Sequence, residues 1–529
     1  MIEREIKFRL PEGVGADRVR QAVESAGFRL TPGLSLAHED RYLDTDDWAL
    51  YRAGIALRLR AGARGVRLEA KTIRSTSDKA LVRTEWSQEA PEGEPPWAML
   101  ATGHVAALLQ PLHGLHVLER LRVRARLRND RECFGWLRGD TPLGSLTVDH
   151  VNAMNGSDTA PVAFDEVEIE LLEEEPALER LRESPEERAA RPNPDAALDE
   201  ARRAVESALG VEANVASKLA TALAAAGERA PERDERAYAI HPADRLTDVA
   251  HKTFAKQFER MIWNEPGTRL GIDPEYLHDM RVATRRLRTA MDLFETAIPD
   301  HPRRAFADDL RWVGRGLGRV RDRDVALQHV AELAADAPDL EIPAWRIFRH
   351  SLELERSRMR VRLIERLDSE RYAALVERAR AWIAAPAPAG EEVPAGGSPA
   401  YTVAPRLIAE RMGALAAAYD EAERLVDQPS LHAFRIAAKR ARYAHEYFGD
   451  TGGPRSSRRA KRLAGLQDFL GEHQDAVMLL RRLRKYAKSV PARDRELTLS
   501  VGSAMGHLER AARMRRGDLR RAWSEAREE

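Results

Sequence analysis

The first charged residues of the chain alternate in a way that suits binding of metal ions and a polyanion. Glu3, Glu5 and Lys7 are two positions apart, so in a β-strand their side chains share one face. Three charges cannot form a packed apolar core, because burying unpaired charge is too costly. They suit a polar interior in which carboxylates bind divalent cations and an ammonium binds a polyanion. The spacing therefore predicts a charged site on one face of a strand.

The same alternation of charge recurs in later segments of the first 170 residues. A solvated face explains one such strand, but cationic and anionic strands together favour a barrel with a charged lumen. There arginine would bind phosphate through a bidentate, permanently charged fork, and carboxylates would bind Mg²⁺ or Mn²⁺. An activated water that attacks a terminal phosphorus needs little beyond positioning and charge neutralisation. The segments contain Arg58 and Arg60, Arg83 and Glu85, the arginines Arg122, Arg124 and Arg126, and the carboxylates Glu166, Glu168 and Glu170.

A second pattern, of histidine and basic residues, occurs twice in the C-terminal half. Its members are spaced i, i+3, i+7 and i+10, which makes one stripe along a helix. A solvated helix face normally mixes charges of both signs, but Asp279 is the only acid among residues 278–290 and none occurs among 432–445. Repeated, self-repelling cations predict an anion between the two stripes. The stripes are His278, Arg281, Arg285 and Arg288, flanked by Arg286, and His432, Arg435, Lys439 and Arg442, flanked by Arg440.

The elements that must position these residues differ between the two halves. Short segments of period two, broken by turns, predict strands up to about residue 170, with helices at 14–28 and 196–209. From about residue 240 the pattern is helical almost throughout. We therefore predict an α+β domain built on an antiparallel β tunnel barrel with flanking helices, followed by an all-α domain.

The helical half reads as a duplication. The interval from His278 to Asp322 differs by a single residue from that between His432 and Asp475, and matched spacing predicts a duplicated bundle with approximate two-fold symmetry. A Pro/Gly-rich connector separates the copies. The predicted divisions are a tunnel domain at 1–210, a closing segment and linker at 211–239, and a helical domain at 240–520 with repeat one at 240–384, the connector at 385–400 and repeat two at 401–520.

Composition limits the kind of protein. A chain of 529 residues is too long for one ordinary domain. Residues 241–529 hold 52 Lys and Arg against 43 Asp and Glu, although the whole chain has no net charge. The acidic first half and basic second half suggest separate ligands. The single cysteine, Cys133, fits a reducing cytoplasm. The charged start lacks the apolar region of a signal peptide, and no stretch approaches the roughly 20 apolar residues of a membrane helix.

The N-terminal half resembles the CYTH family, the triphosphate tunnel metalloenzymes. The string Glu3-Arg4-Glu5-Ile6-Lys7 looks like the family's ExExK signature, and Tyr42-Leu43-Asp44-Thr45 looks like its Y(Y/F)DT segment. The remaining matches follow in the expected order and are Arg58, Arg60, Lys71, Arg83, Arg122, Arg124, Asp149, the strand Glu166-Val-Glu168-Ile-Glu170-Leu, and the pair Ser217-Lys218.

This resemblance implies an antiparallel tunnel barrel that binds triphosphates and usually hydrolyses them with Mg²⁺ or Mn²⁺. It implies that Tyr42 and Lys71 activate the attacking water, although Tyr42 is equally compatible with packing beside the tunnel. By the same resemblance the metal ligands are Glu3, Glu5, Asp149, Glu168 and Glu170, and the phosphate-binding residues are Lys7, Arg58, Arg60, Lys71, Arg83, Arg122, Arg124 and Lys218.

The duplicated pattern His-x-x-Arg-(x)3-Arg/Lys-Arg-x-Arg resembles the CHAD (conserved histidine α-helical domain) family, over roughly 240–520. That resemblance implies a helical bundle whose basic groove binds inorganic polyphosphate and directs proteins to polyphosphate granules. Asp322 and Asp475 look like its repeated acidic positions, which would orient the basic side chains.

The two resemblances name phosphoanhydride polyanions as ligands of both halves. They imply a cytoplasmic enzyme that hydrolyses inorganic triphosphate, or a similar short chain, and docks on polyphosphate. The alternatives are a non-catalytic polyphosphate-binding protein, a nucleoside or thiamine triphosphatase, and an adenylyl cyclase. A nucleic-acid binder is disfavoured because the stripes offer no aromatic for base stacking except Tyr443. The absence of a P-loop motif argues against an ordinary kinase or ATPase.

Overall fold

The computed structural model divides the chain into two compact units, Met1–Glu232 and Arg233–Glu529. Within the predicted linker and connector, residues 214–216, 226–227 and 389–392 lie outside the described part. The described residues are 2–73, 81–91, 102–154, 162–171, 193–213, 217–225, 228–388, 393–425, 427–491 and 494–527.

The first unit is built on a closed antiparallel barrel. Its strands are β1 (Ile2–Arg9), β2 (Arg29–Leu30), β3 (Leu34–Asp44), β4 (Ile55–Gly62), β5 (Gly65–Thr72), β6 (Leu81–Ala90), β7 (Arg122–Arg138), β8 (Thr141–Met154) and β9 (Val162–Leu171). Eight of these described strands follow the order β7-β3-β4-β5-β6-β1-β9-β8, and β8 pairs back onto β7 to close the ring. The short β2 pairs with the end of β7. The predicted antiparallel barrel is confirmed.

The strand register sets charged residues beside one another. Across β1 and β9, Lys7 lies opposite Glu168 and Glu5 lies opposite Glu170. Directly opposed residues of an antiparallel pair project to the same face, so these charges share the lumen. A slip of one residue would move the whole set to the outer face.

The residues between those charges face outward and form the apolar core of the unit. Ile6 and Phe8 alternate with the lumen-facing charges of β1, and both are buried. They share a cluster with Trp136 of β7 and with residues of two flanking helices. The helices of this unit are α1 (Ala16–Ser25), α2 (Ala49–Arg52), α3 (His104–Leu109), α4 (Pro194–Leu209) and α5 (Lys218–Ala225). The barrel is therefore apolar outside, under its helices, and charged inside.

The second unit is helical, as predicted. Its helices are α6 (Leu246–Trp263), α7 (Glu265–Leu270), α8 (Pro274–Leu293), α9 (Asp300–Ala335), α10 (Ile342–Leu367), α11 (Glu370–Ala384), α12 (Ala400–Leu425), α13 (Gln428–Tyr447), α14 (Gly449–Ala487), α15 (Arg495–Gly517) and α16 (Leu519–Arg527). The duplication is visible in two helical pairs: α8 and α13 each have 20 residues, and the following helices α9 and α14 have 36 and 39. Among the described residues, none of the helices combines the length and apolar character needed to cross a membrane.

Gly144 marks the tightest packing of the barrel wall and gives a test of it. A Cβ at this position would lie 1.8 Å from the carbonyl oxygen of Glu170 and 2.4 Å from Nε1 of the buried Trp136. We expect Gly144→Ala to lower the free energy of unfolding by roughly 1–3 kcal/mol, measured by calorimetry as a lower melting temperature. Gly62→Ala is the matched control, because its Cβ would meet neighbours only at 3.5 Å. Equal melting temperatures for the two variants would contradict this packing.

Candidate functional site

A cavity of about 110 Å³ lies inside the barrel, and its lining is mostly charged. Among the described residues six carboxylates face seven cations there. The carboxylates are Glu3, Glu5, Glu69, Glu85, Glu168 and Glu170, and the cations are Lys7, Arg58, Arg60, Lys71, Arg83, Arg131 and Lys218. Most of the residues predicted from the sequence are therefore brought together at one site. Glu69 and Arg131 were not among them, and Glu85 was noted in the charge alternation but given no role.

The most buried carboxylates form one cluster. Oxygen atoms of Asp149, Glu166 and Glu168 lie within 4.8 Å of one another. The Lys218 ammonium is 2.7 Å from Asp149 and 2.6 Å from Glu168. Nε and Nη2 of Arg131 donate to the two oxygens of Asp149 at 2.5 and 2.6 Å. Burial raises the pKa of Asp149, but Lys218 and Arg131 outweigh it and lower the pKa to about 2. This carboxylate is ionised at neutral pH.

The sequence places Lys218 at the start of α5, where the helix cap directs it. Ser217 Oγ accepts the backbone N–H of Ala220 at 3.1 Å, as an N-cap serine does. Lys218 itself is the first residue of the helix and is buried. Although it lies in the predicted closing segment 211–239, its ammonium enters the barrel cavity.

The cluster fits a divalent cation. Glu166 is fully buried, and neither of its oxygens accepts a hydrogen bond of good geometry from the described residues. The nearest cation is the Lys218 ammonium, 3.1 Å from Oε1. Oε2 has no donor among the described residues, which is unfavourable for a buried carboxylate oxygen, and Mg²⁺ and Mn²⁺ prefer such oxygens. The predicted metal-ligand set omitted Glu166, although its position in the alternating β9 strand was visible in the sequence.

The two N-terminal glutamates lie around a lysine and an arginine. Lys71 forms an ion pair with Glu3 and lies 3.3 Å from Glu5, and Arg83 also lies 3.3 Å from Glu5. Burial acts to lower the pKa of Lys71, but Glu5 and Glu3 outweigh it and the pKa is raised. Lys71 is therefore an ammonium at neutral pH, which suits phosphate binding better than proton removal from water. Burial and a hydrogen bond with Glu3 raise the pKa of Glu85 to about 8.

Two carboxylates that the motifs did not single out hold the paired arginines of β4. Asp40 is fully buried and accepts from Nε and Nη2 of Arg60 at 2.8 and 2.9 Å. Arg58 lies 3.5 Å from Asp40 and 2.8 Å from Glu69. These contacts fix both guanidinium groups before any ligand arrives. Asp40 is two residues before Tyr42 on β3, so the two side chains share a face of the strand. This spacing is the sequence signal that could have placed Asp40 in the lumen.

Arg122 and Arg124 are not brought into the cavity. Arg122 is mostly exposed and pairs with Asp46 at 3.0 Å. Arg124 donates to the backbone oxygens of Thr45 and Asp46 at 2.9 and 3.0 Å, and lies over the Trp48 ring. Both sit at the start of β7, where the pairing with β3 is irregular. The arginine that this strand contributes to the lumen is Arg131.

The Tyr42-Leu43-Asp44-Thr45 segment has a structural role in its second half. The Asp44 carboxylate accepts backbone N–H groups of Thr45, Leu50 and Tyr51 at 2.7, 2.9 and 2.9 Å. It thereby fixes the turn between β3 and β4. Tyr42 lines the cavity and also belongs to an apolar cluster that includes residues of α5.

A second cavity, of about 940 Å³, lies within the helical unit. The stripes on α8 and α13 face it, and each helix begins with an aspartate cap: Asp273 accepts the Glu275 amide, and Asp427 accepts the Ser430 amide. We call this cavity the basic groove. Arg288 and Arg440 are not part of its lining, and Arg260, Arg321 and Arg482 are additional cations there. The predicted residues that line it are His278, Arg281, Arg285, Arg286, His432, Arg435, Lys439 and Arg442.

The central cations of the basic groove are crowded, and Asp322 and Asp475 offset their charge only in part. Among the described residues no carboxylate forms an ion pair with Arg281, Arg435 or Lys439. Burial lowers the pKa of Lys439, and repulsion from Arg435, Arg285 and Arg281 lowers it further, to about 6. Burial and the neighbouring Arg285 likewise lower the pKa of Arg281. Such a site favours a ligand that brings negative charge.

The carboxylate cluster of the barrel (Asp149, Glu166 and Glu168) gives a test by metal binding. Its affinity for a divalent cation should fall when Glu166 loses its charge. We expect Glu166→Gln to reduce Mn²⁺ affinity on the order of 10- to 100-fold, because one buried carboxylate no longer contributes. Calorimetric titration or the electron paramagnetic resonance of free Mn²⁺ measures this directly. Glu12→Gln, an exposed carboxylate of the same unit, is the control. Unchanged affinity in a folded Glu166→Gln variant would place the ion elsewhere.

Comparisons with known proteins cover both units. Residues 1–197 match the family model of the CYTH domain, and residues 252–484 match that of the CHAD domain. Two Mycobacterium tuberculosis proteins, MT2285 and Rv2226, both described as uncharacterized, are 29% identical over 239 residues. The match spans 44% of this chain and 44% of each relative. It thus covers less than half the length of these curated relatives.

Solved structures resemble each unit separately. The CHAD domain from the plant Ricinus communis is 30% identical and covers 56% of this chain and 96% of its own, with a TM-score of 0.46. PptA from Streptomyces chartreusis is 16% identical and covers 53% and 100%, with a TM-score of 0.44. A Hippeastrum protein, described as an adenylyl cyclase with a dominant triphosphatase activity, is 20% identical and covers 43% and 98%, with a TM-score of 0.26. The family matches show that the chain carries a CYTH domain at residues 1–197 and a CHAD domain at residues 252–484.

Proposed function

We propose that the barrel hydrolyses inorganic triphosphate, or a similar short triphosphate, with Mg²⁺ or Mn²⁺, and that the helical unit binds inorganic polyphosphate. The observation that carries the first part is the enclosed cavity in which seven cations face six carboxylates. A triphosphate needs many cationic donors, and its metal ion needs carboxylates. The CYTH match supports the same assignment.

The chain's own residues would do three things to such a substrate. Arg58 and Arg60, already oriented by Asp40, would each donate to phosphate oxygens through a planar fork. Lys71, which remains an ammonium group, and Lys7 would neutralise phosphate charge after leaving their glutamate partners. The closed strand ring would exclude most bulk water and so strengthen each of these interactions.

The carboxylate cluster of Asp149, Glu166 and Glu168 would hold the divalent cation, joined by Glu3, Glu5 or Glu170 around the cavity. When bound, this cation supplies charge neutralisation and lowers the pKa of a nearby water. Lys218 now pairs with the same carboxylates. With those oxygens holding a cation, Lys218 would be available to donate to a phosphate oxygen.

The basic groove would bind polyphosphate because its central cations, Arg281, Arg435 and Lys439, form no ion pair with a carboxylate of the described residues. Polyphosphate presents regular negative charge and no bases, which suits a groove whose stripes contain Tyr443 as their only aromatic residue. Tyr443 is itself engaged, since its hydroxyl accepts from Arg285 Nε at 2.8 Å. Binding long chains would bring the enzyme to cytoplasmic polyphosphate granules.

Paired variants separate the two activities. We expect Glu168→Gln with Glu170→Gln to reduce phosphate release from inorganic triphosphate on the order of 100-fold or more, with polyphosphate binding unchanged. Arg281→Glu with Arg435→Glu should reduce polyphosphate affinity and leave phosphate release from inorganic triphosphate unchanged, because it inverts charge in the groove alone. Phosphate release is measured with Mg²⁺, Mn²⁺ or EDTA on inorganic triphosphate, ATP and thiamine triphosphate.

The substrate panel also distinguishes the alternatives. Faster release from ATP or thiamine triphosphate would replace the proposed substrate, and cyclic AMP with pyrophosphate as products would indicate a cyclase. No metal-dependent release from any of them would leave a polyphosphate-binding protein with an inactive tunnel. Turnover that survives the double glutamate change would refute the metal assignment.

Lys439 predicts that polyphosphate binding strengthens as pH falls. The charged groups acting on it are Arg435 on α13, Arg281 and Arg285 on α8, and Asp475 on α14. Its pKa of about 6 leaves it neutral at pH 8 in the free protein, and a bound polyanion raises that pKa. Binding therefore takes up a proton, and affinity should rise from pH 8 toward pH 6 by at most about tenfold per pH unit from this group.

Two substitutions isolate the contribution of Lys439 from that of the groove histidines. Lys439→Gln stays neutral and Lys439→Arg stays charged, so both should flatten the pH profile, the first at low affinity and the second at high affinity. Titrations of polyphosphate at fixed ionic strength provide the comparison. A wild-type slope retained in both variants would assign the proton to another group.

A further inference from the structure

The two halves of the duplication carry opposite charge at equivalent positions of α9 and α14. Aligning Asp322 with Asp475 places Leu317-Gly318 on Leu470-Gly471. The same alignment places Arg315 on Asp468 and Arg319 on Glu472. Asp468 and Glu472 line the basic groove, whereas the two arginines do not. The groove is therefore flanked by cations in repeat one and by acids in repeat two.

The arginines of repeat one continue the basic groove along the same helices. Arg288 follows Arg285 by one turn on α8. On α9, Arg315 and Asp322 are seven residues apart, so they lie on one side of the helix about 10 Å apart along its axis. Between them, a Cβ at Gly318 would lie 3.6 Å from Nε of Arg281, which places a groove guanidinium against this stretch of α9.

The arginines of this extension have few internal partners. Within the described part of the chain, no carboxylate forms an ion pair with Arg288, Arg315 or Arg319. Arg288 is close enough to Arg311 and Arg315 that their charge, together with burial, lowers its pKa. Burial lowers the pKa of Arg366, and the charges of Arg319 and Arg315 lower it further. Arg288 and Arg315 are therefore electrostatic neighbours, and Arg315 and Arg319 are both neighbours of Arg366. We call Arg288, Arg315 and Arg319 the arginine track.

The one large aromatic beside the track is not free to stack on a base. The guanidinium carbons of Arg366 and Arg371 each lie 4.7 Å from the centroid of the Trp312 ring. Single-stranded nucleic acid gains much of its affinity from stacking on open aromatic faces. The track therefore favours a polyanion that offers charge without bases.

At the equivalent end of repeat two the arginine is already paired. Arg442, the counterpart of Arg288, is held by Glu446 at 2.6 Å. Glu446 also pairs with Arg286 at 2.5 Å. Asp468 also lines the groove on this side, so this end carries less unpaired positive charge than the arginine track.

We propose that a polyphosphate chain bound in the basic groove leaves it in one direction only, across the arginine track of repeat one. The proposal rests on the polyphosphate binding inferred above. A chain confined to the groove makes no contact with the track, whereas a long chain does. The two ends of the duplicated bundle are thus unequal in function, and the bundle selects for long chains.

The test uses the full-length protein with Arg315→Gln and Arg319→Gln combined. We expect its affinity for long-chain polyphosphate to fall and the slope of log affinity against log salt to become shallower by about 1.5 to 2, because two phosphate contacts are lost. Binding of tripolyphosphate, measured with EDTA present, should be unchanged. The control is Arg346→Gln with Arg495→Gln, two exposed arginines of the same unit that remove equal charge away from the groove.

The outcomes separate this inference from the proposed function. A wild-type protein that does not bind long-chain polyphosphate would refute the proposed function itself. Wild-type binding with equal losses in the track and control variants would refute the track, since only net charge would matter. Equal losses for tripolyphosphate and long chains would also refute it. A loss of affinity that is confined to long chains and to the track variant supports the proposal that the chain leaves the groove across the arginine track.

Discussion

The constraint on which both units depend is that buried charge must be neutralised. In the barrel the neutralisation is internal: Lys218 lies within 3.1 Å of three carboxylates, and Arg131 bridges two of them. The strand register achieves this by setting opposite charges side by side on the lumen face. In the basic groove the central cations have no such partners among the described residues. The barrel thus folds around a balanced set of charges, whereas the groove holds an excess that a ligand must balance.

This difference explains how the two sites would respond to their ligands. A ligand of the barrel must exchange existing ion pairs for new ones. The metal ion must pair with the carboxylates that are released, and the phosphates must pair with the cations. The central cations of the groove need no such exchange, and Lys439 reduces the repulsion there by losing its proton near neutral pH. The same type of ligand therefore meets a selective site in one unit and an open one in the other.

Much of this arrangement could be predicted from the sequence, because strand alternation and helical stripes are local patterns. Glu3, Glu5 and Lys7 share the lumen with Arg58 and Arg60 as the period of two requires. Arg122 and Arg124 do not join them, since the irregular pairing of β3 with β7 is a property of two distant strands. Asp40 and Arg131 were missed for a related reason: their roles arise from partners that only the closed ring brings near. The helical stripes were placed better, although Arg288 extends beyond the groove it was expected to line.

Lys218 has a consequence for the order in which the barrel is built. Its partners Asp149 and Glu168 precede it by 69 and 50 positions, and Lys7 meets Glu168 across 161 positions. Contacts between such distant residues form slowly, because long loops must close first. The carboxylate cluster therefore lacks its full set of cations until the segments that carry Lys7 and Lys218 have both docked. A partly folded chain would expose these acids to solvent without a shaped cavity, so selective capture of a metal ion by the site would be a property of the finished barrel.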